Sequence, residues 1–310
     1  MPRFTDILPK CTTRQRLALA AAMSLVAAGA GQAATPGGQA YYERALMQAA
    51  DARCHLFPPQ LGSALAAAAA QARGAALRAG ATNKGLAVLA VQATTKQAGL
   101  PCTSKDLAVA AGRVRGAFDG YSKLIRMSFP GDDASWQADR TLPMHTPVWR
   151  LSQRAAGAGA PLVFGLAGEN AHPAQLLAVG DFGPGETPYS AQLMVRDVAR
   201  APEPYLQAVS VSAWAKLPLA ERAPPRSGVL MFAAEARAPA DKTLLPRGSA
   251  SGMAFRFPAL AARALAALDP REAVTLEFLV QDRNGVRARK ALIEVGDFAA
   301  GQAFLAAAPR

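Results

Sequence analysis

The string Val-Gly-Asp-Phe occurs twice in the chain, and each copy places an aspartate between a glycine and a phenylalanine. The copies span 179–182 and 295–298, within the longer strings VGDFGPG and VGDFAAG. Two facing aspartates could form the carboxylate pair of an aspartic protease, but there Asp is followed by Thr or Ser and then Gly. The Asp-Phe-Gly of the first copy also occurs in protein kinases, whose other motifs the chain lacks.

Both copies are better interpreted as structural joints than as catalytic loops. Glycine permits a sharp bend, aspartate accepts backbone N–H bonds in a turn or at a helix N-terminus, and phenylalanine fills the core. Each copy follows two strand-like runs, which favours a weak internal duplication over chance recurrence. The residues assigned to the joints are Gly180, Asp181, Phe182, Gly296, Asp297 and Phe298.

The remaining chemistry-bearing residues form no recognised catalytic or metal-binding motif. The three histidines are scattered, and no HExxH or Cys/His cluster occurs, so we expect no metal and no cofactor. The string GSASG at 248–252 resembles a nucleophile elbow but has Ala250 at its centre. An exported hydrolase without a local motif stays as an alternative, with Ser249 or Ser251 paired to His145 or His172.

Four basic residues cluster in one strand pair near the C-terminus: Arg283, Arg287, Arg289 and Lys290. Alternation places Arg287 and Arg289 on one face of the second strand. A solvated outer face that protects the sheet from aggregation is the favoured interpretation. The alternative is a contact with an anionic lipid, a polysaccharide or the acidic surface of an envelope protein.

Residues 40–128 have the pattern of an all-helical segment. Four helix-like stretches are separated by proline and glycine signals, and apolar residues recur at alternating spacings of four and three in the last of them. In an up-down-up-down bundle the first helix ends where the fourth begins. Cys54 and Cys102 occupy those two positions, so we expect them to form a disulfide.

The character of the chain changes after residue 128. Pro, Gly and Asp mark a linker at 129–145, and 146–310 contains many short runs of strand-like composition with one or two short helices. Asn284-Gly285 is a strong hairpin signal. The predicted fold class is α+β: a four-helix bundle-like domain at 40–128, followed by a mainly antiparallel, sandwich-like β domain.

Residues 265–305 resemble the C-terminal end of the invasion-associated locus B type of exported bacterial proteins. The resemblance rests on a short helix, a strand pair turning at Gly285, then Gly296-Asp297-Phe298, small residues and Leu305. It covers about 40 of the 310 residues, and this chain lacks the cysteines that the family often has there. The resemblance implies a periplasmic β-sandwich without known catalysis.

The N-terminus has the three parts of a secretory signal. Basic residues precede an apolar run at 17–30, and small residues follow it, so cleavage is expected after Ala30 or Ala33. The full chain has 34 basic and 22 acidic residues; without the four basic residues and one acidic residue of 1–33, its net charge is about +9. We expect a periplasmic or secreted protein without a transmembrane span in its mature form, and we expect no nucleic-acid partner for an exported chain.

These observations together predict an exported binding or envelope-associated protein without catalytic activity. This prediction rests on three observations: the signal-like segment, the scaffold-type domains, and the lack of catalytic residues at a recognised spacing.

Overall fold

The computed structural model describes residues 36–170, 172–208 and 217–307, so the expected signal segment at 1–33 lies outside the described residues. Helices precede strands, which confirms the predicted α+β class with a helical N-terminus. The first four helices are α1 Pro36–Cys54, α2 Pro59–Arg78, α3 Asn83–Ala98 and α4 Lys105–Ser122. None of the described helices is long and apolar enough to cross a membrane.

Helix α2 is the central helix of the N-terminal segment because alanine and glycine let neighbours approach it closely. Its buried residues are mostly alanine and leucine. A Cβ placed on Gly37 of α1 would lie 2.8 Å from the Cα of Ala76, so only glycine fits this α1–α2 contact. Helix α1 packs against both α2 and α3, and α4 makes its helical contacts mainly with α2.

A disulfide joins Cys54 at the end of α1 to Cys102 just before α4, which confirms the predicted pairing. Hydrogen bonds lie beside it. Arg53 donates to the carbonyl oxygen of Ala98 at 3.2 Å, and Arg115 donates to that of Leu56 at 3.0 Å. The disulfide attaches the residues before α4 to the end of α1. The Arg53 hydrogen bond attaches the end of α3 to α1, and the Arg115 hydrogen bond attaches α4 to the residues that follow α1.

Sheet A has seven strands in the order β1-β2-β3-β5-β6-β10-β9. Their bounds are β1 Arg126–Phe129, β2 Trp136–Asp139, β3 Val148–Arg154, β5 Leu162–Glu169, β6 His172–Gly180, β9 Ala236–Pro239 and β10 Met253–Phe257. The segment at 129–145, predicted as a linker, therefore contributes β2 to this sheet. The alternation of buried and exposed side chains explains why these residues form a strand, since Trp136 and Ala138 are buried while Gln137 is exposed.

Sheet B has five strands in the order β4-β12-β11-β7-β8. Their bounds are β4 Ala156–Gly157, β7 Thr187–Arg196, β8 Val229–Ala233, β11 Ala273–Asp282 and β12 Gly285–Glu294. The predicted hairpin is present, with Asp282 paired to Gly285 around a two-residue turn. Gly285 has φ +112°, a backbone conformation that favours glycine.

The two sheets share one apolar core, as in a β-sandwich. Phe255 of sheet A and Phe278 of sheet B have ring centroids 5.4 Å apart in an edge-to-face arrangement. Gln153 of β3 joins the sheets through polar contacts, because its side chain donates to the carbonyl oxygen of Glu294 at 3.1 Å and accepts from the Glu294 amide at 3.0 Å.

The described residues also form the short α-helices α5 Leu219–Arg222, α6 Ala259–Ala266 and α7 Phe298–Ala306. Helix α7 packs against α2, so the helical segment contacts the β-rich part directly.

Arg140 links the ends of α4 and α7. Its guanidinium donates to the carbonyl oxygens of Tyr121, Leu124 and Phe304 at 2.7–3.2 Å, where the helix dipole favours a cation. The division into domains at 40–128 and 146–310 stays a prediction.

The disulfide should contribute strongly to the stability of the whole chain, because it closes a loop with a sequence separation of 48 residues. Loop-closure entropy assigns such a cross-link about 4 kcal/mol. We expect the Cys54→Ser/Cys102→Ser variant to lose about that much unfolding free energy in urea titrations under oxidising conditions. Adding reductant should lower wild-type stability to the variant's level; an equal stability of oxidised wild type and variant would contradict this assignment.

Candidate functional site

The end of β12 carries a carboxylate that is enclosed by backbone amides. Glu294 is fully buried and accepts hydrogen bonds from the amides of Asp132, Asp133 and Ala134 at 2.7–2.8 Å. Arg222 of α5 donates to the same carboxylate at 3.2 Å and also pairs with Asp132 and Asp133. Glu294 therefore orders the 131–134 loop and holds α5 against the sandwich.

Asp297 forms a second buried ion pair only three residues further on. Arg78 of α2 donates to both of its carboxylate oxygens, at 2.8 and 2.9 Å. A Cβ on Gly74, one turn earlier in α2, would overlap Oδ1 of Asp297. Glycine at 74 thus leaves the space in which this carboxylate lies, and the pair joins the helical segment to α7.

Two further buried pairs lie in the 269–272 turn. Glu272 binds Arg196 through both oxygens at 2.7 and 2.8 Å. Asp269 accepts from Arg271 and, at 2.8 Å, from the Asn83 side chain at the start of α3. Burial opposes ionisation of Asp269, but the hydrogen bonds and charge of Arg271 outweigh it and lower the pKa of this carboxyl.

The two predicted joints differ in their aspartates and glycines. Phe182 and Phe298 are both buried, 7% and 0% exposed. Asp181 accepts from the Gly183 amide at 3.1 Å, as expected for a turn aspartate. Asp297 does not cap α7 through its side chain; it pairs with Arg78 instead, because the α2 guanidinium lies within reach.

The glycines of the joints also adopt different backbone conformations. Gly296 has φ +48°, whereas Gly180 ends strand β6 and pairs with Leu162. The repeated string therefore occupies two local structures. No close pair of aspartates results, since Asp297 is buried in its ion pair and Asp181 lies in the β6–β7 turn.

The basic hairpin is largely paired within the chain. Arg287 and Arg289 both form ion pairs with Glu186 in the β6–β7 connection, and Arg287 also contacts Asp282 at 3.1 Å. Lys290 lies 3.5 Å from Glu277, and Arg283 is exposed in the turn. Arg287 and Arg289 share the face of Ala291 and Ile293, which are buried, so they lie at the rim of the core rather than on the outer face of the sheet.

Of the residues named for a hydrolase, Ser249, Ser251 and His145 have described side chains, and no hydrogen bond joins these three to one another. The Ser249 hydroxyl is buried without a hydrogen-bond partner, and Ser251 and His145 are exposed. The side chain of His172 lies outside the described residues. Within the described ranges no group of three His, Cys, Asp or Glu residues could hold a metal ion.

A cleft lined by three arginines is the feature of the structure best suited to bind a ligand. We call it the arginine cleft; it has a volume of about 640 Å³, within the range of small-molecule sites. It lies where β3, β5, β6 and β10 of sheet A meet α6 and α7. Its polar lining comprises Arg150, Gln175, Glu235, Arg256, Arg263 and Gln302, and its larger apolar residues are Leu142, Leu166, Leu176, Phe257 and Leu305.

Arg150 enters the cleft because β3 has an irregular register at this point. The pairing of β3 with β5 shifts between Trp149 and Leu151, and such bulges redirect a side chain. Arg150 is 7% exposed and uses its Nε to donate to the Asp139 carbonyl oxygen at 2.7 Å. Burial lowers the pKa of the Arg150 guanidinium, and Asp139 opposes that shift.

Arg150 differs from the other buried arginines in lacking a full set of acceptors. Arg196, Arg222 and Arg271 pair with carboxylates, and Arg140 donates to three carbonyl oxygens. Among the described residues only the Asp139 carbonyl oxygen accepts a hydrogen bond from the Arg150 guanidinium, so its Nη atoms are left for the cleft. The buried Nε of Arg256, which also lines the cleft, has no acceptor in the part of the chain that the structure describes.

Sequence reasoning did not identify the arginine cleft. Arg150 lies on β3, Arg256 on β10 and Arg263 on α6. More than 100 positions separate Arg150 from Arg256, and the three arginines share no motif. The single arginine within the otherwise apolar string MAFRF is the only local signal, since a charge in a strand flanked by buried phenylalanines needs a partner or a function.

Comparisons with known proteins add no assignment, because no family model, curated protein or solved structure matches the chain.

Replacing Gly74 with alanine tests the buried Arg78–Asp297 pair from the side of α2. Alanine is the better helix former by about 1 kcal/mol, but here its Cβ displaces Asp297, so we expect a net loss of roughly 1–3 kcal/mol in unfolding free energy. Gly112→Ala in α4 is the matched control, since open space surrounds Gly112 and this variant should be slightly more stable than wild type. Stabilisation by both substitutions in urea unfolding would contradict the contact.

Asp269 should give the protein a stability contribution that acid removes. Its folded-state pKa is lowered from 3.8, so the contribution is complete above that value and disappears as the pH falls through the folded pKa. The stability advantage of wild type over Asp269→Asn should therefore shrink below pH 3.8 in urea titrations. Asp119→Asn, an exposed substitution in α4, is the control. A difference that stays constant from pH 6 to pH 3 would contradict the prediction.

Proposed function

We propose that this protein is an exported binding protein without catalytic activity, and that its ligand occupies the arginine cleft. The observation that carries the proposal is that two arginines lining one cleft have side-chain nitrogens without a protein acceptor: the buried Nε of Arg256, and the Nη atoms of Arg150, whose Nε alone is hydrogen-bonded. A buried donor such as the Nε of Arg256 is costly to leave without an acceptor, and a bound anion would supply acceptors to it and to the Nη atoms of Arg150.

Export is supported by the signal-like segment at 1–33 of the sequence. Its basic start, apolar run and small residues are the parts that a secretory signal needs. The Cys54–Cys102 disulfide is compatible with an oxidising compartment. An envelope-associated role therefore stays part of the proposal.

The chemistry of the lining favours binding over hydrolysis. Arginine and glutamine side chains beside leucine and phenylalanine can orient and hold a ligand. Hydrolysis by a serine enzyme needs a nucleophile within reach of a base. The second candidate, an exported hydrolase, rests on the buried and unpartnered hydroxyl of Ser249.

Affinity capture from an envelope extract tests the proposed function. Immobilised protein that lacks residues 1–33 should retain an envelope component, whereas the Arg150→Ala variant should lose it. Arg154→Ala is the matched control, because Arg154 is an exposed arginine at the end of the same strand and does not line the cleft. High salt should weaken retention, since charge contributes to it.

Two results would overturn the proposal. Equal retention by wild type and Arg150→Ala would place binding elsewhere on the molecule. Labelling of Ser249 by a serine-reactive probe, with nothing retained at any salt concentration, would favour the hydrolase.

A further inference from the structure

We infer that the arginine cleft takes an organic anion with one charged head group, a carboxylate or a phosphate monoester, on an apolar body of small-molecule size. This inference rests on the proposed function and names the ligand class. It draws on four features of the cleft: its unsatisfied donors, its apolar residues, its single carboxylate and its volume.

The donors set the charge and shape of the head group. A guanidinium presents its N–H groups in a planar fork that matches two oxygens of a carboxylate or phosphate. Arg150 has one of its nitrogens fixed by the Asp139 carbonyl oxygen at 2.7 Å, which orients the remaining donors before any ligand arrives. Because this side chain is already buried, binding an anion requires little further desolvation of it.

The apolar residues determine the rest of the ligand. Leu166, Leu176 and Phe257 are buried members of the sandwich core whose surfaces also line the cleft. Leu305 of α7 and Leu142 after β2 contribute further apolar surface. An inorganic anion would leave the accessible surface of Leu142 and Leu305 in contact with water, whereas an alkyl or aromatic body would cover it.

The charge balance and the volume restrict the ligand further. Three arginines face one carboxylate, Glu235, so the lining has an excess of positive charge. Glu235 would repel additional negative charges, which favours an anion with a single charged head over a polyanion. A cleft of about 640 Å³ accommodates a small molecule, whereas a nucleic acid or polysaccharide needs an extended basic surface.

Isothermal titration calorimetry with octanoate, octyl phosphate, octanol and acetate tests the inference, using disulfide-intact protein that lacks residues 1–33. We expect octanoate or octyl phosphate to bind, and the comparison of the two identifies the head group. Octanol and acetate should each bind at least about tenfold more weakly, because one lacks the charge and the other the body. In a series from butyrate to octanoate, affinity should rise by up to about fourfold per methylene.

Variants assign the binding to the cleft. Arg150→Ala should weaken octanoate binding at least about tenfold, and Arg154→Ala should leave it unchanged. Since Arg150 is buried, its variant is checked by circular dichroism and thermal unfolding. Arg263→Ala, at an exposed position of α6, provides a second variant that should fold normally and bind severalfold more weakly.

Several results would overturn the ligand class. If octanol bound as tightly as octanoate, the charged head group would not contribute to binding. If acetate bound as tightly as octanoate, the apolar body would not contribute. Unchanged affinity in both Arg263→Ala and a folded Arg150→Ala would place the anion elsewhere. If none of the four probes binds but Arg150-dependent capture from the envelope extract persists, the ligand class is wrong and the binding function stands; if both fail, the proposed function fails as well.

Discussion

The fold depends on two carboxylates, Glu294 and Asp297, that are buried where β12 ends and α7 begins. An ionised carboxylate without water must be surrounded by donors, and removing one partner of such a pair leaves an uncompensated charge. Three backbone amides and Arg222 satisfy Glu294, and Arg78 satisfies Asp297. Through these contacts one short segment fixes the 131–134 loop, α5 and helix α2, which is why the helices lie directly against the sandwich.

The same requirement for partners singles out the arginine cleft. Buried guanidinium groups elsewhere in the described chain have carboxylates or several carbonyl oxygens around them. Arg150 has one carbonyl oxygen, and the Nε of Arg256 has no acceptor. The charges buried at the end of β12 are satisfied, whereas these two arginines have nitrogens without a protein acceptor in one cleft, beside apolar residues. Ligand binding gives this arrangement a physical reason.

Local patterns predicted the parts of the structure that short-range physics determines. The helical segment, the Cys54–Cys102 disulfide and the hairpin at Gly285 follow from periodicity, cysteine positions and turn chemistry. The burial of both joint phenylalanines follows from side-chain chemistry alone. Strand β2 was missed because its four residues lie among proline, glycine and aspartate signals typical of a linker.

Contacts between distant residues could not be predicted in the same way. Arg78 and Asp297 are separated by 219 positions, and no periodicity links them. The pairing of Arg287 and Arg289 with Glu186 neutralises a hairpin that looks basic in the sequence. The register shift in β3 that directs Arg150 into the cleft depends on the pairing with β5, which only the assembled sheet determines.

The most direct measurement of the central claim is a crystal structure of the protein with 8-bromooctanoate, using the anomalous scattering of bromine to locate the probe. The account predicts a bromine peak beside the apolar residues of the arginine cleft, with the carboxylate oxygens within hydrogen-bond distance of the Nη atoms of Arg150. A bromine peak only outside the arginine cleft, or a cleft that contains only water at a saturating concentration of the probe, would contradict it.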